Sequence, residues 1–159
     1  MPTDDPTAYG GSLAFLLSQI GARSAALFTE RLEPLGITPR EFAVLSHVAA
    51  SEAKTQQQLA DLLGIHRNNM VALIDEMEAS GWVRRYRGET DRRAFEIRAS
   101  TRGARMVADI NALLPELDHT LTGGLGERDR KTLTRLLRRT ADDLGLPTAV
   151  HPWVAGRQR

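Results

Sequence analysis

The sequence predicts a mainly α-helical fold with a small β-hairpin wing: a winged helix-turn-helix domain with N- and C-terminal dimerisation helices. Two signals for a helix start lie close together near the middle of the chain, and an arginine-rich segment of alternating polarity follows them. Helix, turn, helix and basic hairpin is the order of elements in a winged helix. A third observation, apolar stripes in the first and last helices, predicts surfaces that need a partner.

The first predicted helix spans residues 11–32 and ends before Pro34 and Gly36. Its apolar residues recur at helical spacing: Leu13, Leu16, Leu17, Ile20, Leu27 and Phe28. The second helix follows at once. Thr38 as N-cap, Pro39 in the first turn and Glu41 at the third position form a capping box, which predicts a helix from Pro39 to about Ala50.

The same signal recurs in TQQQLADLLG, where Thr55 and Gln58 form a second capping box and Gly64 ends the helix. A further helix begins near Arg67 and ends before Gly81, with four apolar residues at helical spacing: Met70, Leu73, Ile74 and Met77. Two short helices joined by a tight glycine-containing turn make a helix-turn-helix unit.

The hairpin consists of WVRRYR, the polar turn GETDRR and AFEIRAS. The last segment alternates, with Phe95, Ile97 and Ala99 on one face, and we expect Phe95 and Ile97 to tie the hairpin to the core. Ser100 or Thr101 then caps a helix that Pro115 should kink or divide. The final helix covers residues 127–144, and its inner face carries Leu133, Leu136, Leu137 and Leu144.

These elements form one domain along the chain. Residues 11–36 and 101–146 are the predicted dimerisation helices, and residues 37–100 are the winged helix-turn-helix. Residues 1–10 and 147–159 are expected to be flexible arms. The apolar faces of the dimerisation helices exceed what the small winged-helix core could cover, so a homodimer is expected. A monomer with these helices folded back on their own lobe is the alternative.

Positive charge is concentrated at the hairpin. The whole chain has a net charge of +1, but residues 82–105 contain eight arginines and three acidic residues, a local balance of +5. Double-stranded DNA is the partner expected for such a surface. Arginine suits phosphates and guanine edges, although genomic base composition also raises the arginine content of a protein.

Two groups of residues are the candidate DNA contacts. The second helix of a helix-turn-helix presents its N-terminal residues to base edges in the major groove, and these residues here are His66, Arg67, Asn68 and Asn69. In the wing, Arg84, Arg85 and Arg87 would contact phosphates, and Arg92 or Arg93 would enter a minor groove. Asp91 would orient one of these arginines through a charge-assisted hydrogen bond.

Other functions find less support. The helix start is equally compatible with ordinary capping residues. The hairpin could be a solvated ion-paired surface, but its position directly after a helix-turn-helix favours DNA. A module that docks an acidic protein partner instead of DNA stays open, although the base-reading residue types at the helix start argue against it. The four histidines lie in four separate elements, and no catalytic motif or phosphate loop is present, so no enzyme activity and no cofactor is expected. No metal site is expected, because there are no cysteines. Without a signal peptide or a membrane-spanning run, a cytoplasmic location is the default.

Several strings resemble the MarR family of bacterial transcription regulators. They are GITPREFAVLSHVA, QLADLLGIHRNNMVALIDEMEASGWVRR, the D-x-R of residues 91–93 and the S-x-x-G of residues 100–103. The resemblance covers residues 13–144, with two departures. Val71 and Ala72 stand where family members often have Thr-Arg, which moves readout toward the helix start and the wing. Ala99 and Ser100 replace the usual Leu-Thr.

The resemblance implies an obligate homodimer that binds a pseudo-palindromic operator and often represses nearby genes. It also implies a small-molecule effector, because ligand binding in a crevice between the dimer helices and the DNA-binding lobe commonly releases such proteins from DNA. His47 is the candidate pocket residue to test first. Other conceivable contacts, most of them expected to be core residues, are Phe15, Gln19, Phe42 and His119.

Overall fold

A computed structural model describes residues 9–50, 54–88 and 95–150 of the chain. The described elements, in chain order, are α1 (Leu13–Leu32), a short 3-10 turn (Glu33–Leu35), α2 (Pro39–Ala49), β1 (Lys54–Thr55), α3 (Gln56–Leu63), α4 (Arg67–Ala79), β2 (Val83–Arg87), β3 (Phe95–Ala99), α5 (Thr101–Thr122) and α6 (Glu127–Asp143). This is the predicted winged helix-turn-helix with long flanking helices. None of the helices in the described part of the chain is long and apolar enough to cross a bilayer.

The predicted helix starts are confirmed at atomic level. Thr38 accepts a hydrogen bond from the backbone of Glu41, whose carboxylate accepts one from the Thr38 backbone in return. Thr55 and Gln58 make the same reciprocal pair at the start of α3. Each box satisfies N–H groups that have no partner inside the helix. Gly64 ends α3 with a φ of 62°, a left-handed conformation that glycine adopts without strain.

The sheet has one more strand than the predicted hairpin. Its order is β1-β3-β2, and both pairings are antiparallel. In the hairpin, Val83 pairs with Ala99 and Arg85 with Ile97, while Lys54 of β1 pairs with Ile97 from the other side. A strand of two residues is too short to show alternating polarity, so the sequence contains no pattern that predicts β1.

One hydrophobic core joins α2, α3, α4 and the base of the hairpin. Its fully buried side chains include Val44, Leu45, Leu59, Leu63, Met70, Ile74, Met77, Val83 and Ile97. The four apolar residues predicted on α4 are all among the buried residues. The core therefore fixes which face of α4 is turned inward, and with it which face is turned to solvent.

Three expectations need correction. Pro115 does not divide α5, because losing one backbone N–H leaves the turns on either side bonded. Phe95 shares a strand face with Ile97 but is 48% exposed, since it lies at the wing end of β3, beyond the helices of the core. The leucines predicted on the inner face of the last helix do not face the core of their own chain: Leu133, Leu136 and Leu137 of α6 and Leu144 just after it are all exposed.

A tight junction connects the hairpin to α5. The Ser100 hydroxyl caps α5 by accepting a hydrogen bond from the backbone of Gly103 at 2.9 Å, and it donates one to the carbonyl of Gly81 at 2.6 Å. Gly103 is buried against the backbone of Trp82, where a β-carbon would overlap the Trp82 carbonyl oxygen. The guanidinium of Arg102 covers the Trp82 ring at 4.2 Å. The S-x-x-G string thus fixes α5 to the winged-helix lobe.

Changing Gly103 to Ala should destabilise the protein, because the new methyl group must displace either the Trp82 backbone or the start of α5. We expect the free energy of unfolding to fall by about 1–3 kcal/mol. Urea denaturation at one fixed protein concentration would measure the change. Gly124→Ala is the matched control, since a β-carbon there meets nothing within 4 Å. Equal stability of the two variants would contradict this account of the junction.

Candidate nucleic-acid interface

The outward face of α4 is a strip of four residues at helical spacing. Asn68, Val71, Ala72 and Asp75 are three or four positions apart and all are exposed, while the opposite face is buried. We call these four residues the outward strip. Arg67 and Asn69, the other residues of the first turn, are exposed as well. The N-terminal turn of α4 is therefore free to reach a groove.

His66 has a structural role at the start of α4. Its ring nitrogen Nδ1 accepts a hydrogen bond from the backbone N–H of Asn68 at 3.3 Å, so the imidazole serves as the N-cap side chain. The predicted contact residues Arg67, Asn68 and Asn69 are the first three residues of the helix. His66 therefore helps to fix the backbone that carries Asn68.

Arg85 joins the wing to α4. Its guanidinium contacts the carboxylates of Asp75 at 2.6 Å and Glu78 at 2.8 Å, both on α4. Its remaining contacts are the side-chain oxygen of Gln56 at 3.4 Å and the Val71 carbonyl at 3.5 Å. The backbone N–H of Arg85 also donates to Glu78 at 3.0 Å. Two strand-to-helix bonds therefore meet at one carboxylate.

The electrostatic effect of this contact appears at Glu78. The hydrogen bond from the Arg85 backbone, together with the Arg85 guanidinium, lowers the pKa of the Glu78 carboxyl below its ordinary value, although partial burial opposes the change. The folded protein therefore favours the ionised form of Glu78, and this carboxylate contributes to the stability of the fold at neutral pH. That contribution is lost as the pH falls below the ordinary glutamate range and through the lowered pKa.

The arginines of β2 have two different environments. Arg84 and Arg87 are exposed, whereas the Arg85 side chain is only 19% exposed and faces the acids of α4. The predicted phosphate-contacting role suits the first two, but the guanidinium of Arg85 is already occupied. Strand alternation distinguishes Arg85 from Arg84, because Arg85 lies on the same side of β2 as the core residue Val83. Arg87 also lies on that side but is exposed near the wing end of the strand, so alternation alone does not separate it from Arg85.

The other side of the hairpin carries a second polar cluster. The guanidinium of Arg98 lies over the Tyr86 ring at 5.3 Å and bonds to Glu96 at 3.0 Å. Arg84 pairs with Arg98 across the two strands, so both point to this side. The predicted wing-tip residues Asp91, Arg92 and Arg93 lie outside the described residues.

A cavity of about 330 Å³ lies between α1, α2 and the C-terminal segment. Phe28 and Phe42 meet edge to face in its lining, with ring centroids 5.6 Å apart, and Arg40 and Ala149 also contribute. The predicted pocket residue His47 is adjacent to this lining: its Nε2 is 3.1 Å from the Ala149 carbonyl oxygen. Within the expected flexible arm, Ala149 therefore contacts α2, and Val150 packs against the core.

No metal site is evident in the described part of the chain. Histidine, aspartate and glutamate side chains there form no group of three or more that could hold an ion. The arrangement instead offers exposed amide and guanidinium groups on one helix start and one hairpin. Such groups can donate hydrogen bonds to base edges and phosphates.

Comparison with known proteins supports this interpretation. A sequence profile described as MarR family matches residues 35–94. The multiple antibiotic resistance protein MarR of Escherichia coli K12 is 27% identical over 128 residues, which are 80% of this chain and 89% of that protein. A mutant of E. coli MarR in complex with operator DNA has a TM-score of 0.70 at 25% identity, covering 86% of this chain and 98% of that one.

A second DNA complex is also similar. The transcriptional repressor CouR, bound to a 23-mer DNA duplex, has a TM-score of 0.73 and 28% identity, with 85% of this chain and 96% of that chain covered. The two complexes share with this chain the fold that positions α4 and the hairpin.

Arg84→Gln and Arg85→Gln should differ in their effects on stability. Arg85→Gln leaves two carboxylates of α4 without their partner, so the free energy of unfolding should fall by about 1.5–3 kcal/mol. Arg84→Gln removes an exposed charge and should change it by no more than about 0.5 kcal/mol. Thermal or urea unfolding measures both. If the two variants were equally stable, Arg85 would not be the link between the wing and α4.

Proposed function

The chain belongs to the MarR family of winged helix-turn-helix transcription regulators, and we propose that it acts as a ligand-responsive repressor, binding a pseudo-palindromic operator as a homodimer. The observation that carries the proposal is the joining of α4 to the wing through Arg85. A helix start and a basic hairpin held in one fixed relation can contact a major groove and the neighbouring backbone together.

In the proposed complex the start of α4 reads base edges. Asn68 and Asn69 suit adenine, and Arg67 suits guanine, because each can make two hydrogen bonds in the plane of the base. All three residues are exposed in the first turn, where the N-terminal end of the helix also favours the negative charge of phosphates. His66 supports this turn by capping it.

The wing supplies the contacts that are independent of sequence. We assign Arg84 and Arg87 to phosphates, because both are exposed on β2. Arg92 or Arg93 would enter the minor groove, oriented by Asp91. Arg85 would act as a positioning residue in place of its predicted phosphate contact, since its guanidinium is bound to Asp75 and Glu78.

Homodimerisation is supported by apolar side chains that one chain leaves exposed. On α1 they are Leu13, Leu16, Leu17 and Ile20, and on α6 they are Leu133, Leu136 and Leu137. Covering these residues with a second copy would place two recognition helices about 34–36 Å apart, one turn of DNA. Acting on operator DNA, the protein would work in the cytoplasm.

The cavity beside α2 is the proposed effector site. Its edge-to-face phenyl rings suit an apolar or aromatic body, and Arg40 suits an acceptor or anionic group. The Nε atom of Arg40 is buried and has no hydrogen-bond partner within the described residues. Since the cavity is formed by α1 and α2, a ligand there would act where the dimerisation helices meet the DNA-binding lobe.

Duplex binding and its salt dependence test the proposal. Affinity for a duplex selected from a random pool should fall steeply with salt, with a slope in log–log form of roughly −0.9 per neutralised phosphate. Arg87→Gln should reduce that slope by about 0.9 for each phosphate that is no longer neutralised, and so by about 1.8 in a dimer. Fluorescence anisotropy across a salt series measures the slope.

Arg139→Gln on α6 is the control, because it removes one arginine outside the proposed interface. Light scattering in the same buffer should give twice the chain mass of 17.5 kDa. An absence of duplex binding at low salt would reject the DNA-binding proposal and leave a protein-interaction module. A monomeric mass would reject the dimer separately.

A further inference from the structure

An apolar pair occupies the middle of the outward strip of α4. Val71 is 38% exposed, and Ala72 beside it is exposed as well. Asn68 lies one turn before them and Asp75 one turn after, so the pair is at the centre of the face that would enter the groove. Side chains with no donor or acceptor cannot pair with the polar edges of the bases.

We propose that Val71, with Ala72 beside it, reads thymine through the methyl group at carbon 5 of the base. This inference rests on the proposed function and names a specificity-determining residue within it. The thymine methyl is the apolar feature that the four base pairs present in the major groove, and apolar side chains are the groups that contact it. Val71 and Ala72 therefore specify a base that Asn68 and Asn69 cannot identify by hydrogen bonding.

The structure holds Val71 in place for this contact. The Val71 carbonyl accepts a hydrogen bond from the Arg85 guanidinium at 3.5 Å, which links this turn to the wing. Valine is branched at its β-carbon and strongly prefers one side-chain rotamer in a helix, so little freedom is lost when its methyl groups meet a base. Ala72 adds little bulk, which allows α4 to approach the groove closely.

Arg85 also partly compensates the negative charge of Asp75 on the same face. Asp75 is part of the outward strip, and an unpaired carboxylate there would repel the phosphates beside the groove. The Arg85 guanidinium is 2.6 Å from this carboxylate and reduces its repulsion for phosphate, although the same guanidinium also pairs with Glu78. The apolar pair can therefore approach the bases beside a carboxylate whose charge is partly compensated.

A pair of neighbouring base contacts follows from the strip. Asn68 and Val71 are three residues apart and share one side of α4. Asparagine suits adenine, and valine suits the thymine methyl. The selected operator should thus carry adenine and thymine at adjacent or nearly adjacent positions in each half-site. A cytosine methylated at carbon 5 offers the same methyl group, so the experiment must separate the two bases.

Replacing thymine by uracil tests the inference, because uracil lacks only this methyl group. A duplex would first be selected from a random pool by the purified full-length protein, then prepared with thymine or with uracil. For the unmodified protein we expect uracil to weaken binding about fourfold per contacted methyl, and about fifteenfold when both half-sites lose one. Substituting each thymine position alone would locate the contact.

Val71→Ala supplies the second arm of a double-mutant cycle. This variant should bind the thymine duplex more weakly, and the uracil penalty should shrink to less than about twofold, since the methyl then has no apolar partner. Val71 is partly exposed, so the fold should tolerate the change. Asn69→Ala is the comparison: it should weaken binding but keep the full uracil penalty.

The outcomes are distinct. An equal uracil penalty in the unmodified protein and in Val71→Ala would overturn the inference, because the methyl would then act without Val71. A gain in affinity on methylating cytosine, with no uracil penalty, would show that the contacted base is not thymine. No binding to any duplex would instead reject the proposed function itself.

Discussion

The contact between Arg85 and the two carboxylates of α4 is the interaction on which the proposed DNA-binding surface depends. A guanidinium can bind two acids at once because its donors lie in a fixed plane. Here it reaches Asp75 and Glu78, while its own backbone N–H also donates to Glu78. This contact fixes how a strand of the wing lies against the recognition helix. The wing and α4 are then held together as one surface that can contact DNA.

This contact also explains how a chain of net charge +1 keeps five arginines between residues 84 and 93. The arginines do not share one task. The Arg85 guanidinium forms ion pairs with Asp75 and Glu78 of α4, while Arg84 and Arg87 stay exposed. Positive charge is left exposed on the wing, and the repulsion between phosphate and the helix face beside it is reduced. The cost of clustering like charges is reduced by pairing one of them.

The junction after the hairpin connects this arrangement to α5, one of the proposed dimerisation helices. Ser100 caps α5 and bonds to Gly81, and Gly103 lets the helix pack on the Trp82 backbone. The start of α5 is thereby fixed to the turn between α4 and β2. In the proposed homodimer, a change in the angle between the two subunits would therefore move both copies of α4, which is the movement that the proposed effector near α1 and α2 would have to cause.

Much of this architecture could be predicted from the sequence because its signals are local. The capping boxes at Thr38 and Thr55 and the glycine stop at Gly64 each depend on residues within one turn. The features that sequence reasoning misses depend on tertiary contacts. The strand at residues 54–55 forms only because β3 offers an edge. The sequence does not distinguish Arg85 from Arg87, because the contacts with Asp75 and Glu78 exist only in the folded chain. The alternation of β3 places Phe95 on the same face as Ile97, but the core ends before it reaches Phe95.

A double-mutant cycle between Arg85 and Glu78 tests the central claim most directly, with affinity for the selected duplex as the measured quantity. Arg85→Gln and Glu78→Gln would each disturb the same link, so each should weaken binding. If the contact positions the wing, the double variant should bind no more weakly than Arg85→Gln alone. Losses of affinity that simply add in the double variant would contradict the claim, because Arg85 would then contribute to DNA binding independently of α4.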